Sequence, residues 1–217
     1  MLYFTSDLHF GSDDILWRED RPFNSIKEFQ DYCFNLWNKD LCEDDILYVI
    51  GDYCNYSTTS SISYEKVVET YKTVSMLNCK VILIIGNNEQ RIIDKFFNGN
   101  FDVFKQLLIG FGFKNVFTEA YVEIRGDKFY LNHFPSKHKD GYINLFGHTH
   151  RATGIWKPFG LNVCCDLNHF RLYDEDHLFK LLKMKVEWWD KCKECATSMV
   201  AGSRGLESYE TILNLMY

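Results

Sequence analysis

A chain of 217 residues, 46% hydrophobic and 17% aromatic, holds enough apolar mass for one well-packed domain with room for an appended piece. Its net charge of −6 disfavours a partner such as long nucleic acid, which calls for a basic face, and 3 prolines with no low-complexity tract argue against long linkers. No apolar run nears the roughly 20 residues of a membrane span, and "MLYFTSDLHF" at the start has no basic segment or cleavage site, so a cytoplasmic protein without a signal peptide is expected.

In chain order, Leu2 to Thr5 reads as a short apolar strand that stops at Ser6-Asp7. Ser25 and Glu28 have capping-box spacing ahead of a helical apolar period running to Trp37. "DDILYVIGD" is a strand ending at Gly51-Asp52, "SYEKVVETYKTVSML" a helix, and "KVILIIGNN" a buried strand that breaks into polar residues at Asn87. Two helical pieces are expected between Gln90 and Phe111, and Gly126-Asp127 between two alternating runs signals a hairpin. "YINLFGHTH" and "LNVCCDL" read as further strands, with a helix from about Asp174 to Lys183. Strand–helix alternation followed by a strand-rich half points to a mixed α/β sandwich. Residues 1–184 form the expected main domain, and residues 185–217 a helical extension packed on it or on a partner. The 8 cysteines read as reduced core residues, and Cys192 and Cys195 form a single CxxC without the second ligand pair of a structural zinc site.

Polar residues recur just after strands: Asp7 and His9, Asp52, Asn87, His133, His148 and His150. In open α/β sheets this is where ligand sites gather. Asp7 and His9 are two apart, as are His148 and His150, and in an extended segment such pairs point to one side. Two carboxylates, one amide and four imidazoles make a mixed N/O donor set that suits Mn, Fe, Zn or Ni rather than Ca or Mg. The set is too large for one catalytic ion, and it suits two divalent ions bridged by a carboxylate. Taken singly, each residue has a plainer explanation: Asp52 can begin a turn, Asn87 can cap a helix, and His138, His169 and His177 fall in no motif.

The ordered motifs "DLHFG", "GDY", "GNN", "NHFP" and "GHTH" resemble those of the calcineurin-like metallophosphoesterases, whose pattern is D-x-H, G-D, G-N-H, H and G-H-x-H. "RPF" at Arg21 to Phe23 and "NVCCDLNHFRL" are similar to compact bacterial and phage-type members, and the resemblance spans about Met1 to Lys180. It implies a four-layer sandwich of two mixed β-sheets flanked by helices. It also implies two metal ions, manganese foremost, one on Asp7, His9, Asp52 and His150 and the other on Asp52, Asn87, His133 and His148, with Asp52 bridging. A hydroxide between the ions would attack phosphorus in a phosphate ester or phosphoanhydride of a small, nucleotide-like substrate, a phosphodiesterase or phosphatase reaction involving Asp52, His133 and the residue at position 88.

That position departs from the family. The histidine that protonates the departing oxygen is here Asn88, an amide that can hydrogen-bond substrate but cannot act as a general acid near neutral pH. Three readings follow: cleavage of a bond whose leaving group needs little protonation, a proton from His138 or a water, or a non-catalytic metal-dependent scaffold. A full set of seven ligand candidates favours catalysis. Arg21, Arg91, Lys137, Lys139 and Arg151 lie near motif ends, with Arg21 and Lys137 the leading substrate contacts, and Phe10 and Tyr53 either shape the pocket floor or pack.

Overall fold

A computed structural model describes residues 1–55, 63–185 and 187. The chain divides into two compact units, Met1–Glu175 and Asp176–Tyr217. In the first unit, strands β1 (Leu2–Thr5), β2 (Ile46–Ile50), β3 (Lys80–Ile84) and β4 (Asn115–Phe117) run parallel in that order, and β10 (Tyr173–Asp174) pairs antiparallel with β1. A second five-stranded sheet has the order β5 (Ala120–Ile124), β6 (Asp127–Leu131), β7 (Ile143–Phe146), β9 (Gly160–Asn162), β8 (Trp156–Lys157), parallel only at β6–β7 and β7–β9. The architecture is therefore α/β, with two mixed five-stranded sheets flanked by helices, in keeping with the sandwich expected from the motifs.

The parallel half of the first sheet is joined by helical crossovers, as parallel strands require. Helix α2 (Ile26–Trp37) follows a short α1 (Asp14–Arg18), and α3 (Tyr64–Lys72), α4 (Asn87–Phe97) and α5 (Phe101–Phe111) complete the set. Their apolar faces, with Phe29, Phe34, Val67, Ile92 and Phe104 all buried, share one core with Leu47, Val49, Val81 and Leu83 of the sheet. Phe10 and Tyr53 belong to this core: Phe10 packs on Phe29, Phe34 and Tyr53, and Tyr53 stacks on Tyr71. Both are fully buried and support the loops above them from below.

Local details refine the sequence reading. Ser25 accepts from the Glu28 amide at 3.2 Å, while the Glu28 carboxylate reaches Asn24 N, one residue before the cap. The hairpin turn falls on Arg125-Gly126, both at positive φ, as a tight two-residue loop demands. Helix α4 starts at Asn87, so the motif "GNNE" is itself the first helical turn, with Gly86 rather than Asn87 as the cap. Beyond β10, residues 175–185 are helical, close to the helix expected there. The Trp188-Trp189 segment, the Cys192–Cys195 pair and the last apolar stretch lie outside the described residues.

Candidate metal centre

All seven residues singled out in the sequence follow the carboxyl ends of five strands: Asp7 and His9 after β1, Asp52 after β2, Asn87 after β3, His133 after β6, and His148 and His150 after β7. The two sheets are drawn together at these ends. Ser6 forms a parallel bridge with Cys164, and Phe10 with Cys54, so that the loops carrying Asp7 and Asp52 run side by side. Asp7 N donates to Gly51 O at 3.1 Å and His9 N to Asp52 O at 2.8 Å.

The side chains gather in two groups that share Asp52. In one, His9 Nε2 and His150 Nε2 face each other at 3.2 Å, with Asp7 Oδ1 within 4.0 Å and 3.8 Å of them. In the other, Asn87 Oδ1 lies 3.1 Å from His133 Nε2 and 2.8 Å from His148 Nδ1. Asp52 turns Oδ2 towards His9 at 3.5 Å and Oδ1 towards His133 at 3.6 Å. Asp7, His9 and His150 can together hold a metal ion, as can Asp7, Asp52 and His133.

The pairs do not sit in extended segments. Asp7, His9, Asp52, His148 and His150 all have positive φ, from 45° to 71°. Each pair converges because the chain coils left-handed at both members, not because a strand alternates. Asp, Asn and His are the side chains that tolerate this region best, and its strain of roughly 1–3 kcal/mol per residue is characteristic of functional sites. Glycines make room for the convergence. A Cβ on Gly51, itself at φ 86°, would strike the His133 ring, and one on Gly147 would strike Ser6 Oγ and the Asp7 carboxylate.

The electrostatics fit a cationic occupant. Burial pushes the Asp52 carboxyl up, and the fully buried Asp7 carboxylate adds to that against the pull of His133. Burial, with the His150 ring and the Arg21 guanidinium nearby, holds His9 well below its ordinary value, so its lone pairs are available. His133 Nδ1 donates to Ile50 O at 2.9 Å, which leaves Nε2 turned to the site. Outer partners of this kind orient metal-binding imidazoles.

Two carboxylates that the sequence reading passed over hold the frame. Glu89, in the first turn of α4, is fully buried and accepts from the backbone amides of Asp52 at 2.8 Å, Tyr53 at 3.0 Å and Gly86 at 2.8 Å, and from the Tyr71 hydroxyl at 3.1 Å. Asp166, just after β9, accepts from His150 Nδ1 at 2.9 Å and from Arg21 at 2.7 Å and 2.9 Å. A carboxylate one residue beyond a motif, at the N3 position of a helix, was the signal available for Glu89. Asp166 lay inside a stretch already noted, "NVCCDLNHFRL", where nothing in the spacing set it apart.

Two substrate-contact expectations are corrected. Arg21 has a side chain 0% exposed. Besides Asp166 it donates to Leu8 O at 2.8 Å and Asp7 O at 2.7 Å, and its guanidinium lies 4.6 Å from the Phe29 ring. It fixes the loop between Asp7 and His9 and cannot reach a ligand. Asn88 is buried, and its amide is turned onto Asp52, donating to Oδ2 while its backbone N–H donates to Oδ1 at 3.0 Å. Its place is beside the shared carboxylate rather than on the cleft wall. Lys137 does line a cleft of about 460 Å³ that opens at Asn87, together with Arg91, Gln90, Asn132 and Phe134. Lys139 pairs with Glu119 and Arg151 with Glu19, and His138 stacks on Phe159, away from that cleft.

The chain has counterparts elsewhere. MJ1445 from Methanocaldococcus jannaschii is 24% identical over 192 residues, covering 84% of this chain and 91% of its own length. The crystal structure of the Aquifex aeolicus protein AQ665 superposes with a TM-score of 0.55 at 21% identity, over 83% of this chain and 98% of its own, which shows a shared fold. Residues 2–211 match the family model of the calcineurin-like phosphoesterases. With nearly its whole length matched, and with clustered His and Asp side chains at the strand ends, the chain belongs to the calcineurin-like phosphoesterases.

Proposed function

We propose that this protein is a dinuclear-metal-dependent hydrolase of phosphate esters or phosphoanhydrides, acting on a small, nucleotide-like substrate. The observation that carries the reading is Asp52, which presents one oxygen to each of two groups of nitrogen and oxygen donors. Asp7, His9 and His150 would hold one ion with Asp52, and Asn87, His133 and His148 the other, manganese being the first choice for such a set. When bound, two such ions supply a water of lowered pKa and charge stabilisation at phosphorus.

The chain's own residues set the geometry. Asp52 is held in its double-facing pose by Asn88, through backbone and side chain together, and by Glu89 on its amide. Arg21 and Asp166 fix the His150 ring and the carbonyls of Asp7 and Leu8. His148, the most open of the four imidazoles, and the Asn87 side lie where a phosphoryl group can enter. Asn88 has no titrating proton, so the departing oxygen receives none from it.

The test is direct. Protein loaded with Mn²⁺ should carry two ions per chain by elemental analysis and hydrolyse bis(p-nitrophenyl) phosphate, and Asp52→Asn should lose both. Full metal content with no hydrolysis of any phosphoester would favour the scaffold reading, and no metal binding at all would overturn the proposal.

A further inference from the structure

Five cations lie close to the motif ends, and they divide sharply. Arg21 is neutralised by Asp166 at 2.7 Å, Lys139 by Glu119 at 3.2 Å, and Arg151 faces Glu19 at 3.9 Å. Arg91 and Lys137 have no carboxylate within ion-pair distance among the described residues. Both line the same cleft, which opens at Asn87. In a chain of net charge −6, two cations that line one cleft without an ion-pair partner at contact distance make a local positive field beside the candidate metal ligands.

Arg91 stands one helical turn after Asn87 on α4, so both side chains share a face, and the first turn of that helix adds its positive end to the same wall. Across the cleft, Lys137 ends the short turn Pro135–Lys137, with Nζ 5.1 Å from the centre of the Phe134 ring. Phe134 in turn packs against His133 and His148 with ring centres 5.0 Å away in each case, which sets this edge of the cleft against the candidate centre. A volume of about 460 Å³ lies within the usual range for a small-molecule site and far exceeds what a single phosphoryl group needs.

We propose that this cleft is the binding site for a second phosphate of the substrate, held by Arg91 and Lys137, so that the bond broken is a phosphoanhydride. The inference rests on the hydrolase reading and narrows its substrate class. It also accounts for Asn88. In such a hydrolysis a water oxygen forms the new bond to phosphorus, the bridging P–O bond breaks, and its electron pair stays on the departing phosphate. That group has a pKa of about 6 and leaves as an anion without a proton donor. The water's proton goes to solvent. An alkoxide leaving group would need the acid that position 88 lacks.

The experiment compares inorganic pyrophosphate with orthophosphate by calorimetry on the Mn²⁺-loaded protein and on the charge-reversed pair Arg91→Glu with Lys137→Glu. Both side chains are exposed, so the variant is expected to fold. Wild type should bind pyrophosphate at least about 100-fold more tightly than orthophosphate, since each charge-assisted contact is worth roughly tenfold or more. The variant should lose at least tenfold of that preference. In parallel, its kcat/KM should fall at least tenfold further for a dinucleoside diphosphate than for bis(p-nitrophenyl) phosphate. An unchanged pyrophosphate preference in the variant overturns the assignment, as does equal wild-type binding of the two anions. If the preference is present and lost as expected while no phosphoester is hydrolysed, the hydrolase reading falls and the cleft assignment stands.

Discussion

The two halves of the candidate centre are built differently. Around Asp7, His9 and His150 the side chains are mostly enclosed: Asp166, held by Arg21, lies behind the partly buried His150, Ser6 Oγ donates to Asp7 at 2.6 Å, and His9 is 3% exposed. Around Asn87, His133 and His148 only His133 is deeply buried, and the wall opens through Asn87 into a positively charged cleft. One half is closed to solvent and the other open to it. Asp52 is common to both, and Asn88 and Glu89 hold it from outside the pair of groups.

Perturbing the shared member should have the largest effect. Asp52→Asn removes a charge from both groups at once, so hydrolysis with Mn²⁺ should fall below detection, and elemental analysis should find fewer than two ions per chain.

On the enclosed side, Arg21→Met should act on stability. Removing one partner of a buried pair strands Asp166 and costs about 3–5 kcal/mol, to be read by urea unfolding. The same pair predicts an acid limb. Burial alone would raise the Asp166 carboxyl, but the hydrogen bond from His150 and the Arg21 charge outweigh it and hold the group far below its ordinary 3.8. A depressed native value means the stabilisation is complete above the ordinary value and is lost as the pH falls below it towards the native one. Unfolding midpoints of wild type should therefore drop on acidification below pH 3.8, and those of Asp166→Asn should be flatter across that window.

Next in size is position 88. Asn88→His exchanges the amide that holds Asp52 for a longer ring with a titratable nitrogen, so whatever is lost at Asp52 is common to all substrates. Cleavage of an alkyl phosphodiester should then gain about 100-fold relative to an activated aryl diester, the low end of what a general acid supplies. Equal gains on both substrates would count against a missing proton as the reason for the amide. The smallest effect expected is Asp166→Asn on metal affinity. Loss of the carboxylate behind His150 should weaken the first ion by at least about tenfold and leave the second near its wild-type affinity, so the titration becomes biphasic.

The contrast also marks how far the sequence could be read. The seven clustered residues stood out because each ends an apolar strand with a polar side chain of the right type. Strand ends are visible in the alternation of buried runs and breaks, as at "VILIIGNN". The hairpin at Arg125-Gly126 was visible for the same reason, within one residue. Strands β8 and β10, of two residues each, and β4, of three, had too few positions to show a period and exist only because neighbours pair with them. Arg21 illustrates a different limit. Its type suggested an anion, and whether that anion is a ligand or the chain's own Asp166, 145 residues away, depends on a contact that local pattern does not encode. Glu89 was hidden likewise, because a carboxylate that serves five donors, the Cys54 amide at 3.4 Å among them, looks in sequence like any acidic residue at the start of a helix.

The left-handed bends beneath Asp7, His9, Asp52, His148 and His150 carry a last implication. Glycine would occupy such bends with less conformational penalty than any of these side chains. Exchanging His148, the most accessible of the five, for glycine should therefore relieve the backbone while removing a donor, giving a sturdier apoprotein with a poorer centre. Durability and chemistry compete at this loop, and the residues present mark which of them selection has favoured.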